Sequence, residues 1–369
     1  MNPDERNRLQ RIGRQFQIEG DFHEAHRIKV GHINETFAVT YFHQGRTVRY
    51  VHQTLNTEVF KEPVPLMNNV LRVTEHLREK LLEEGVSEID RRALRVIRAR
   101  DGKPYFLDHE GHFWRTFLFV ERVRTFEAAE TPTQAYQAAQ AFGHFQSLLS
   151  DLSCSDLAVT IPDFHHTRKR FQKLQQAIAK DECDRAAEAS KEIAFALKQD
   201  GMVDVLLNAH ARGEIPERIT HNDTKFNNVM LDQDSGEAMC VVDLDTVMPG
   251  LVLYDFGDMV RTTTSRTAED ETYLDRVELE MPFFEQLARG YVESTRSFLT
   301  PQEKSYLVVS GALITFTIGI RFLTDFLEGD HYFRVHRPDH NLVRCRKQFK
   351  LVQSIQQKAE EMQRFVDRL

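Results

Sequence analysis

Residues 219–231, Ile219-Thr-His-Asn-Asp-Thr-Lys-Phe-Asn-Asn-Val-Met-Leu231, are the stretch that decides the fold. They contain the pair His221-x-Asp223, and Asn228 follows five residues after the aspartate. The run Cys240-Val-Val-Asp243-Leu-Asp245 comes after a short polar break. A His-x-Asp pair, an asparagine at this distance and an aspartate after the next strand are typical of kinase-type catalytic loops.

The segment between these two halves has the pattern of a β-hairpin. Residues 229–231 and 238–242 are short apolar runs, and polar residues 232–237 separate them. Pairing of the runs would bring Asn228 and Asp243 to the same end, as two ligands of one metal ion require. Phosphoryl transfer uses such oxygen ligands for Mg²⁺ and a carboxylate that takes the proton of the acceptor hydroxyl. A cap or turn aspartate and a different kind of metal site are the alternatives, although Asp and Asn oxygens suit Mg²⁺ better than Zn²⁺.

The chain changes character on the two sides of Glu121. The first third predicts strands around one helix, which begins at Pro63 and continues to Gly85. Those strands are predicted at 37–42, 47–51, 94–99, 105–107 and 113–120. Beyond it, a Thr131–Gln134 capping box begins a helix, and more are predicted at 164–180, 184–199, 202–212, 269–294, 301–328 and 339–366. The predicted fold class is α+β: a bilobal protein-kinase-like fold with a small β-rich N-terminal nucleotide-binding lobe (1–121) and a larger, mainly helical C-terminal catalytic and acceptor-binding lobe (122–369).

Composition narrows the classes of function. The 369 residues carry a formal net charge of −8, which argues against a general nucleic-acid binder because such proteins need a basic face. The four cysteines form no Cys-x-x-Cys pair and are predicted to be reduced thiols. The polar N-terminus has no apolar secretory segment, and the apolar run 306–320 is too short to cross a bilayer and predicts a core helix. We therefore expect a cytoplasmic protein with neither a nucleic-acid nor a membrane partner.

Three motifs resemble the aminoglycoside phosphotransferase and choline kinase superfamily: HNDTKFNNVMLD (221–232), CVVDLDTVMPG (240–250) and YDFGDMVR (254–261). Within that superfamily the chain is most similar to the N-acetylhexosamine 1-kinases. The narrower resemblance lies in GHINETF (31–37), VFKEP (59–63) and the long run GIRFLTDFLEGDHYF (319–333). Together the similar segments span about residues 20–355 of the chain.

The resemblance implies roles for the residues of the central segment. Asp223 would be the catalytic base, and Asn228 and Asp243 would hold Mg²⁺. Lys225 would help to neutralise the transferring phosphate, with an ordinary solvated lysine as the alternative.

The residues after Asp243 have less definite implied roles. Asp245 is either a second metal ligand or a partner for loop amides. We expect the loop that contains Asp245 and Thr246 to form the floor of the acceptor site. Asp255 and Asp258 are expected to brace the catalytic loop rather than to take part in the chemistry.

The nucleotide side is expected in the first lobe. Gly31, Asn34 and Thr36 precede a strand at the place of a kinase phosphate loop, where Asn34 and Thr36 can donate hydrogen bonds to phosphate oxygens. Because only one glycine is present, an ordinary β-turn is the alternative. The hinge between the lobes is expected around Phe119 and Glu121, where backbone groups would meet the adenine of ATP.

The third strand lacks the lysine that kinases use for the nucleotide phosphates. No lysine lies in residues 50–56, and the position where a basic residue is expected falls on Thr54. Arg49 is near in sequence but distant along the strand. The triphosphate would then be held by the loop, by Mg²⁺ and by another cation.

The acceptor side is expected in the last helices. Arg321 and Asp325 are four residues apart and share one helix face, so an intrahelical ion pair is one interpretation. By resemblance, Arg321 and Tyr332 would bind a sugar acceptor. The implied reaction is ATP- and Mg²⁺-dependent phosphorylation of the anomeric hydroxyl of an N-acetylhexosamine. A kinase for another sugar, an amino sugar, choline or an aminoglycoside, and a nucleotide-binding regulatory module without turnover, are the alternatives.

Overall fold

The β-rich first third forms an antiparallel sheet in the computed structural model, which describes residues 2–28 and 34–369. Its strands are β1 (Asp21–Ile28), β2 (Thr36–His43), β3 (Arg46–Thr54), β4 (Val96–Ile97), β5 (Phe106–Leu107) and β6 (Phe113–Leu118). Within the described residues their order is β1-β2-β3-β6-β4, and β5 pairs with β6. The predicted turn between β2 and β3 is confirmed, because Gln44 and Gly45 both adopt the positive φ of a two-residue hairpin loop.

The two faces of β3 contact different helices. Tyr50, like Trp114 on β6, lies in the core beneath helix α1 (Pro3–Gly13), which the sequence patterns did not predict. Val51 lies on the opposite face and packs against helix α2 (Pro63–Glu83), the predicted helix that begins at Pro63. Side chains alternate along a strand, so each residue of β3 is assigned to one of these two faces.

The larger part of the chain is helical, as predicted. Its helices follow the short α3 (Ile89–Arg92) and are α4 (Pro132–Leu148), α5 (Thr167–Lys180), α6 (Ser190–Lys198), α7 (Asp200–Val203), α8 (Val205–Ala211), α9 (Val252–Thr263), α10 (Met281–Ser294), α11 (Pro301–Ser305), α12 (Leu307–Glu328) and α13 (His340–Asp367). The capping box at Thr131 and Gln134 is present at the start of α4. Helix α9 was not predicted as a helix, and residues 269–280 are mostly irregular where one was expected.

Helix α12 is the central helix of this lobe. Of the residues that the structure describes, it alone is long and apolar enough to cross a membrane, and 83% of its most apolar window is buried inside the protein. Helices α5, α9 and α13 pack around it. Gly257 lets α9 approach closely, since a Cβ there would collide with the Ser310 carbonyl. The predicted core helix is therefore confirmed.

Short strands between the helices include the two ends of residues 219–231 and parts of the segment that follows them. They are β7 (Val123–Arg124), β8 (Arg218–Thr220), β9 (Val229–Asp232), β10 (Ala238–Val241) and β11 (Met248–Gly250). The predicted hairpin is confirmed: β9 and β10 are antiparallel, and Val242 N–H donates to the Asn228 carbonyl at 2.9 Å. Strand β7 pairs with β9 rather than with the N-terminal sheet. The predicted α+β, bilobal kinase-like architecture is confirmed, whereas the boundary at residue 121 stays a prediction.

Candidate active site

Helix α9 holds the loop between β8 and β9. The backbone N–H groups of His221 and Asn222 donate to the two oxygens of Asp255 at 2.8 and 2.7 Å, and Thr224 Oγ1 donates to the Asp255 carbonyl at 2.6 Å. Asp255 is fully buried, and that burial raises its pKa to about 6. The predicted bracing role of Asp255 is confirmed by these contacts.

The same loop is tied to the segment after β10. His221 Nε2 is 2.9 Å from the Val242 carbonyl, and Asn222 Nδ2 donates to the Thr246 carbonyl at 2.9 Å. Thr246 Oγ1 donates in return to the His221 carbonyl at 2.7 Å. These contacts hold the two halves of the predicted signature together and leave the next side chain, Asp223, facing outward.

Asp223 is the half-buried carboxylate at the open end of this loop. Lys225 Nζ lies 2.9 Å from its Oδ2, and Asn228 Nδ2 donates to the Asp223 carbonyl at 2.8 Å and to Oδ2 at 3.2 Å. Burial alone would raise the pKa of Asp223, but the positive charge of Lys225 outweighs it and the pKa is lowered. Asp223 is therefore ionised at neutral pH and has an electron pair ready for a proton.

Asp243 lies at the end of the hairpin beside Asn228 and adopts the left-handed conformation, with φ of 60°. Its side chain reaches the solvent, yet the surrounding protein raises its pKa to about 7, through desolvation first and then through the charges of Asp245 and Asp223. The opposing charges of Lys225 and Arg115 do not compensate. A carboxylate and an amide oxygen in such a negative field fit a hard divalent cation such as Mg²⁺.

Asp245 is buried and links this loop to the N-terminal sheet. Both of its oxygens pair with the guanidinium of Arg115 on β6, with Nη2 3.0 Å from Oδ2. Asn34 Nδ2 donates to the same Oδ2 at 3.0 Å. Gln53 extends the network, because its amide accepts from Arg115 Nε and donates to Thr36 Oγ1, both at 2.8 Å.

The predicted nucleotide residues Asn34 and Thr36 thus lie on one network with Asp245. Gly31 lies outside the described residues. The side chains of Asp245 and Thr246 are both occupied within the protein, and their contact with an acceptor stays a prediction.

Phe119 and Glu121, the residues predicted to form the hinge, lie at the other end of β3. Arg49 stacks over the Phe119 ring at 4.0 Å and its Nε donates to Glu121 Oε1 at 2.8 Å. Arg49 is therefore engaged at the hinge and does not serve as the missing third-strand cation. Among the described residues, the Phe119 carbonyl and the Glu121 N–H make no hydrogen bond, which leaves one acceptor and one donor for a ligand.

Thr54 is not the third-strand position that faces the cleft. It pairs with Trp114 and lies on the same strand face as Tyr50, the α1 side of the sheet. The neighbouring Gln53 faces the cleft instead. The prediction that Thr54 takes the lysine position was therefore wrong by one residue. The sequence of one strand does not show which face each residue occupies until its pairing with the next strand is known.

Arg321 and Tyr332 lie beside the catalytic loop. Arg321 Nη2 is 3.3 Å from the Tyr332 hydroxyl, and the Phe164, Tyr332 and Phe333 rings surround its guanidinium at 5.4–5.6 Å. The alternative of an Arg321–Asp325 ion pair is wrong. Asp325 is buried and accepts instead from the N–H groups of Tyr332 and Phe333, at 2.8 and 2.9 Å, and from Asn341.

His165 joins this wall to the catalytic loop, and sequence reasoning missed it. Its Nε2 is 2.8 Å from the Asn222 carbonyl, and its ring contacts those of Phe164 and Tyr254. Burial lowers the His165 pKa to about 4, so the ring is neutral at pH 7. Its position just before α5 carries no local pattern that would have identified it.

Three solved structures have the same fold as this chain. An aminoglycoside phosphotransferase from Alicyclobacillus acidocaldarius has a TM-score of 0.63 at 12% sequence identity, with 98% of this chain and 96% of that one covered. A choline kinase from Cryptosporidium parvum gives 0.57 at 14% identity, with 96% of each chain covered. A spectinomycin phosphotransferase in complex with ADP and spectinomycin gives 0.55 at 10% identity, with coverage of 96% and 98%.

The sequence itself identifies the family. Residues 24–288, which include most of β1, all of β2 to β11, α9 and the whole catalytic loop, match the phosphotransferase enzyme family. This match agrees with the motifs around Asp223 and Asp243 and with the shared fold. The chain belongs to the phosphotransferase enzyme family and has the fold of aminoglycoside phosphotransferases and choline kinases.

Proposed function

We propose that this chain is an ATP- and Mg²⁺-dependent kinase that phosphorylates the anomeric hydroxyl of an N-acetylhexosamine and gives the sugar 1-phosphate. The observation that carries the proposal is the position of Asp223. This ionised carboxylate accepts from Asn228 and lies close enough to Asp243 to raise the pKa of Asp243. His165 and Phe164 connect its loop to the Arg321–Tyr332 wall. The free cysteines support a cytoplasmic location, where ATP is available.

The nucleotide-binding lobe in this proposal is residues 1–121. The adenine of ATP meets the Phe119 carbonyl and the Glu121 N–H, which have no partner among the described residues. Asn34, Thr36 and the preceding Gly31 take the phosphate chain. The ADP held by the spectinomycin phosphotransferase of the same fold supports a nucleotide in this cleft.

Asn228 and Asp243 would hold Mg²⁺ in this proposal. The bound ion neutralises charge on the transferring phosphates. Asn228 is oriented for this role, because its amide nitrogen donates to Asp223 and its oxygen is left for a ligand. Desolvation and then neighbouring negative charge raise the pKa of Asp243, so a cation there would favour the ionised carboxylate.

Asp223 acts as the general base of the reaction. It takes the proton of the acceptor hydroxyl while the hydroxyl oxygen bonds to the γ-phosphorus, and the bond from phosphorus to the ADP oxygen breaks. Lys225, 2.9 Å from Asp223, adds positive charge beside the transferring group. His221 and Asn222 act through the backbone, since their N–H bonds to Asp255 fix the loop that carries Asp223.

Arg321 and Tyr332 bind the acceptor, and the loop with Asp245 and Thr246 forms the floor beneath it. A sugar needs directional donors and acceptors together with an aromatic face, and this wall supplies a guanidinium, a phenol and two further rings. Among the described residues, Arg321 has no carboxylate partner, so the wall is positively charged. A cationic acceptor such as choline is disfavoured by that charge.

A panel of acceptors tests the proposal. The protein is incubated with ATP, Mg²⁺ and, separately, N-acetylglucosamine, N-acetylgalactosamine, glucose, glucosamine, choline and kanamycin, and phosphorus NMR locates the phosphate. We expect phosphate on the anomeric oxygen of an N-acetylhexosamine, with far less product from the Asp223→Asn protein in the same time. Phosphate on O6, on choline or on kanamycin would overturn the acceptor assignment. Nucleotide binding without any product would favour the regulatory alternative.

A further inference from the structure

Gln53 occupies the cleft-facing position that a lysine holds on the third strand of kinases. Val51 and Gln53 lie on the α2 face of β3, two residues apart, as the alanine and lysine of the kinase pattern do. The β3–β6 register places Arg115 directly opposite Gln53 on the same face. A positive charge, that of Arg115, therefore lies on the neighbouring strand and contacts Gln53.

Arg115 contacts strand β3 and the segment after β10 directly, and Asp245 links it to a third segment beside the predicted phosphate loop. Its Nε donates to Gln53 on β3, its two Nη groups pair with Asp245 after the hairpin, and Asp245 also accepts from Asn34 beside the phosphate loop. The Arg115 side chain is 3% exposed, so its charge is poorly screened by water.

One N–H of Arg115 has no partner among the described residues. An arginine has five N–H donors. Nε uses one for Gln53, Nη1 uses two for Asp245 and Met67 Sδ, and Nη2 uses one for Asp245. Across the part of the chain that the structure describes, the second Nη2 hydrogen makes no bond. Arg115 can keep its counter-ion and still donate to a phosphate oxygen.

The counter-ion also differs from the kinase arrangement. A kinase lysine pairs with a glutamate of the helix that packs on the sheet. Here that helix is α2, and it presents the Met67 sulfur, 3.7 Å from Arg115 Nη1. The carboxylate comes instead from Asp245, two residues after Asp243, in the other lobe.

We infer that Arg115 binds the phosphate chain of the nucleotide in place of the third-strand lysine, with Asp245 as its counter-ion. This inference rests on the proposed use of ATP and extends it, because it assigns the phosphate-binding cation to β6. It also makes the cation a link between the N-terminal sheet and the loop that begins at Asp243. Arg115 is a nucleotide-binding residue in this scheme, and Gln53 orients it.

The test relocates the positive charge from β6 to β3. Calorimetry measures binding of ATP, ADP and adenosine to the full chain and to Arg115→Gln, Arg115→Gln/Gln53→Lys and Arg98→Gln proteins. Arg98 is a partly exposed arginine of the same lobe, and it pairs with the exposed Glu75 on α2. We expect Arg115→Gln to raise the Kd of ATP roughly 10- to 100-fold, as for the loss of a charge-assisted hydrogen bond, and to leave adenosine binding unchanged. The double variant should recover most of the ATP affinity, and Arg98→Gln should bind as the full chain does.

A purely structural role for Arg115 gives a different result. ATP and adenosine affinities would then fall together, and Gln53→Lys would restore neither, which would overturn the inference. If Arg115→Gln does not fold, the neutral pair Arg115→Gln/Asp245→Asn keeps the hydrogen bond and removes both charges. That pair must still lose affinity for ATP but not for adenosine, and equal loss for both would reject the inference. If the unsubstituted protein binds ATP but phosphorylates no sugar, the inference about Arg115 stands and the acceptor proposal fails. If the unsubstituted protein binds no ATP, the inference and the proposed kinase function are both overturned.

Discussion

Asp255 and Asp245 are two buried aspartates that fix the same site in different ways. Asp255 accepts from the backbone N–H groups of His221 and Asn222, so it braces the catalytic loop from within one lobe. Asp245 pairs with the side chain of Arg115, so it joins the catalytic lobe to the N-terminal sheet. Backbone hydrogen bonds to one buried carboxylate therefore hold the loop that carries Asp223, whereas a charge pair between side chains joins the two lobes. In our inference, a nucleotide phosphate shares that charge pair.

Asp243 is a predicted metal ligand, and its removal should have the largest effect on turnover. Asp243→Ala should abolish turnover and weaken Mg²⁺-dependent nucleotide binding, and EDTA should abolish turnover of the unchanged protein. Asp234→Ala, in the exposed hairpin turn, serves as the matched control and should remain active. Full turnover in metal-free buffer would contradict the mechanism itself.

Breaking the charge pair should be the next largest effect, measured as stability. Asp245→Asn leaves the buried Arg115 without a counter-ion, and the free energy of unfolding in urea should fall by about 3–5 kcal/mol. Removal of the other charge as well, in Arg115→Gln/Asp245→Asn, should restore most of that loss. An equally unstable double variant would show that packing, rather than charge, holds the lobes together here.

Replacement of Asp255 should lower the free energy of unfolding by a smaller amount. Because Asp255 binds backbone N–H groups, no charge change at a second side chain should restore the loss. In Asp255→Asn one oxygen is replaced by an NH₂ group facing a backbone donor, so the free energy of unfolding should fall by about 1–3 kcal/mol and kcat should drop as well. Burial raises the folded pKa of Asp255 to about 6, so the normal protein gains stability as the pH falls from 6 toward 4. The deficit of the variant should therefore be larger at pH 5 than at pH 7.5; a deficit that is the same at both would contradict the assigned pKa.

The Arg321–Tyr332 wall includes neither Asp255 nor the Arg115–Asp245 pair, and the removal of Arg321 should have the smallest effect. Arg321→Ala should raise the KM for the sugar roughly tenfold and leave the KM for ATP unchanged, because it removes binding common to ground and transition states. Arg334→Ala, at an exposed arginine near Tyr332, is the control and should change neither value. An increase in the KM for ATP alone would move Arg321 out of the acceptor site.

The catalytic loop and the hairpin after it could largely be predicted from the sequence, because the residues that form them are close together along the chain. The spacing of Asp223 and Asn228 and the hairpin that brings Asp243 beside them lie within 25 residues, and the structure has the same hairpin. The capping box of α4 and the apolar face of α2 are likewise local patterns.

The contacts of Arg115 with Gln53 and Asp245 could not be predicted in the same way. Gln53 and Arg115 are 62 residues apart, and Arg115 and Asp245 are 130 apart, so only strand register and lobe packing bring them together. A strand also changes face at every residue, which is why an offset of one residue assigned the wrong side chain, Thr54, to the cleft. His165 was missed for the same reason, because its partner, the Asn222 carbonyl, belongs to a distant loop.

Turnover by Asp223→Asn tests the central claim most directly. The substitution keeps the size of the side chain and its contact with Asn228 but removes the basic oxygen. With ATP, Mg²⁺ and the acceptor found by the NMR panel, kcat should fall by roughly 10²- to 10⁴-fold, while the unfolding transition and ATP binding remain close to those of the normal protein. A folded, nucleotide-binding Asp223→Asn protein with near-normal kcat would contradict the assignment of Asp223 as the base.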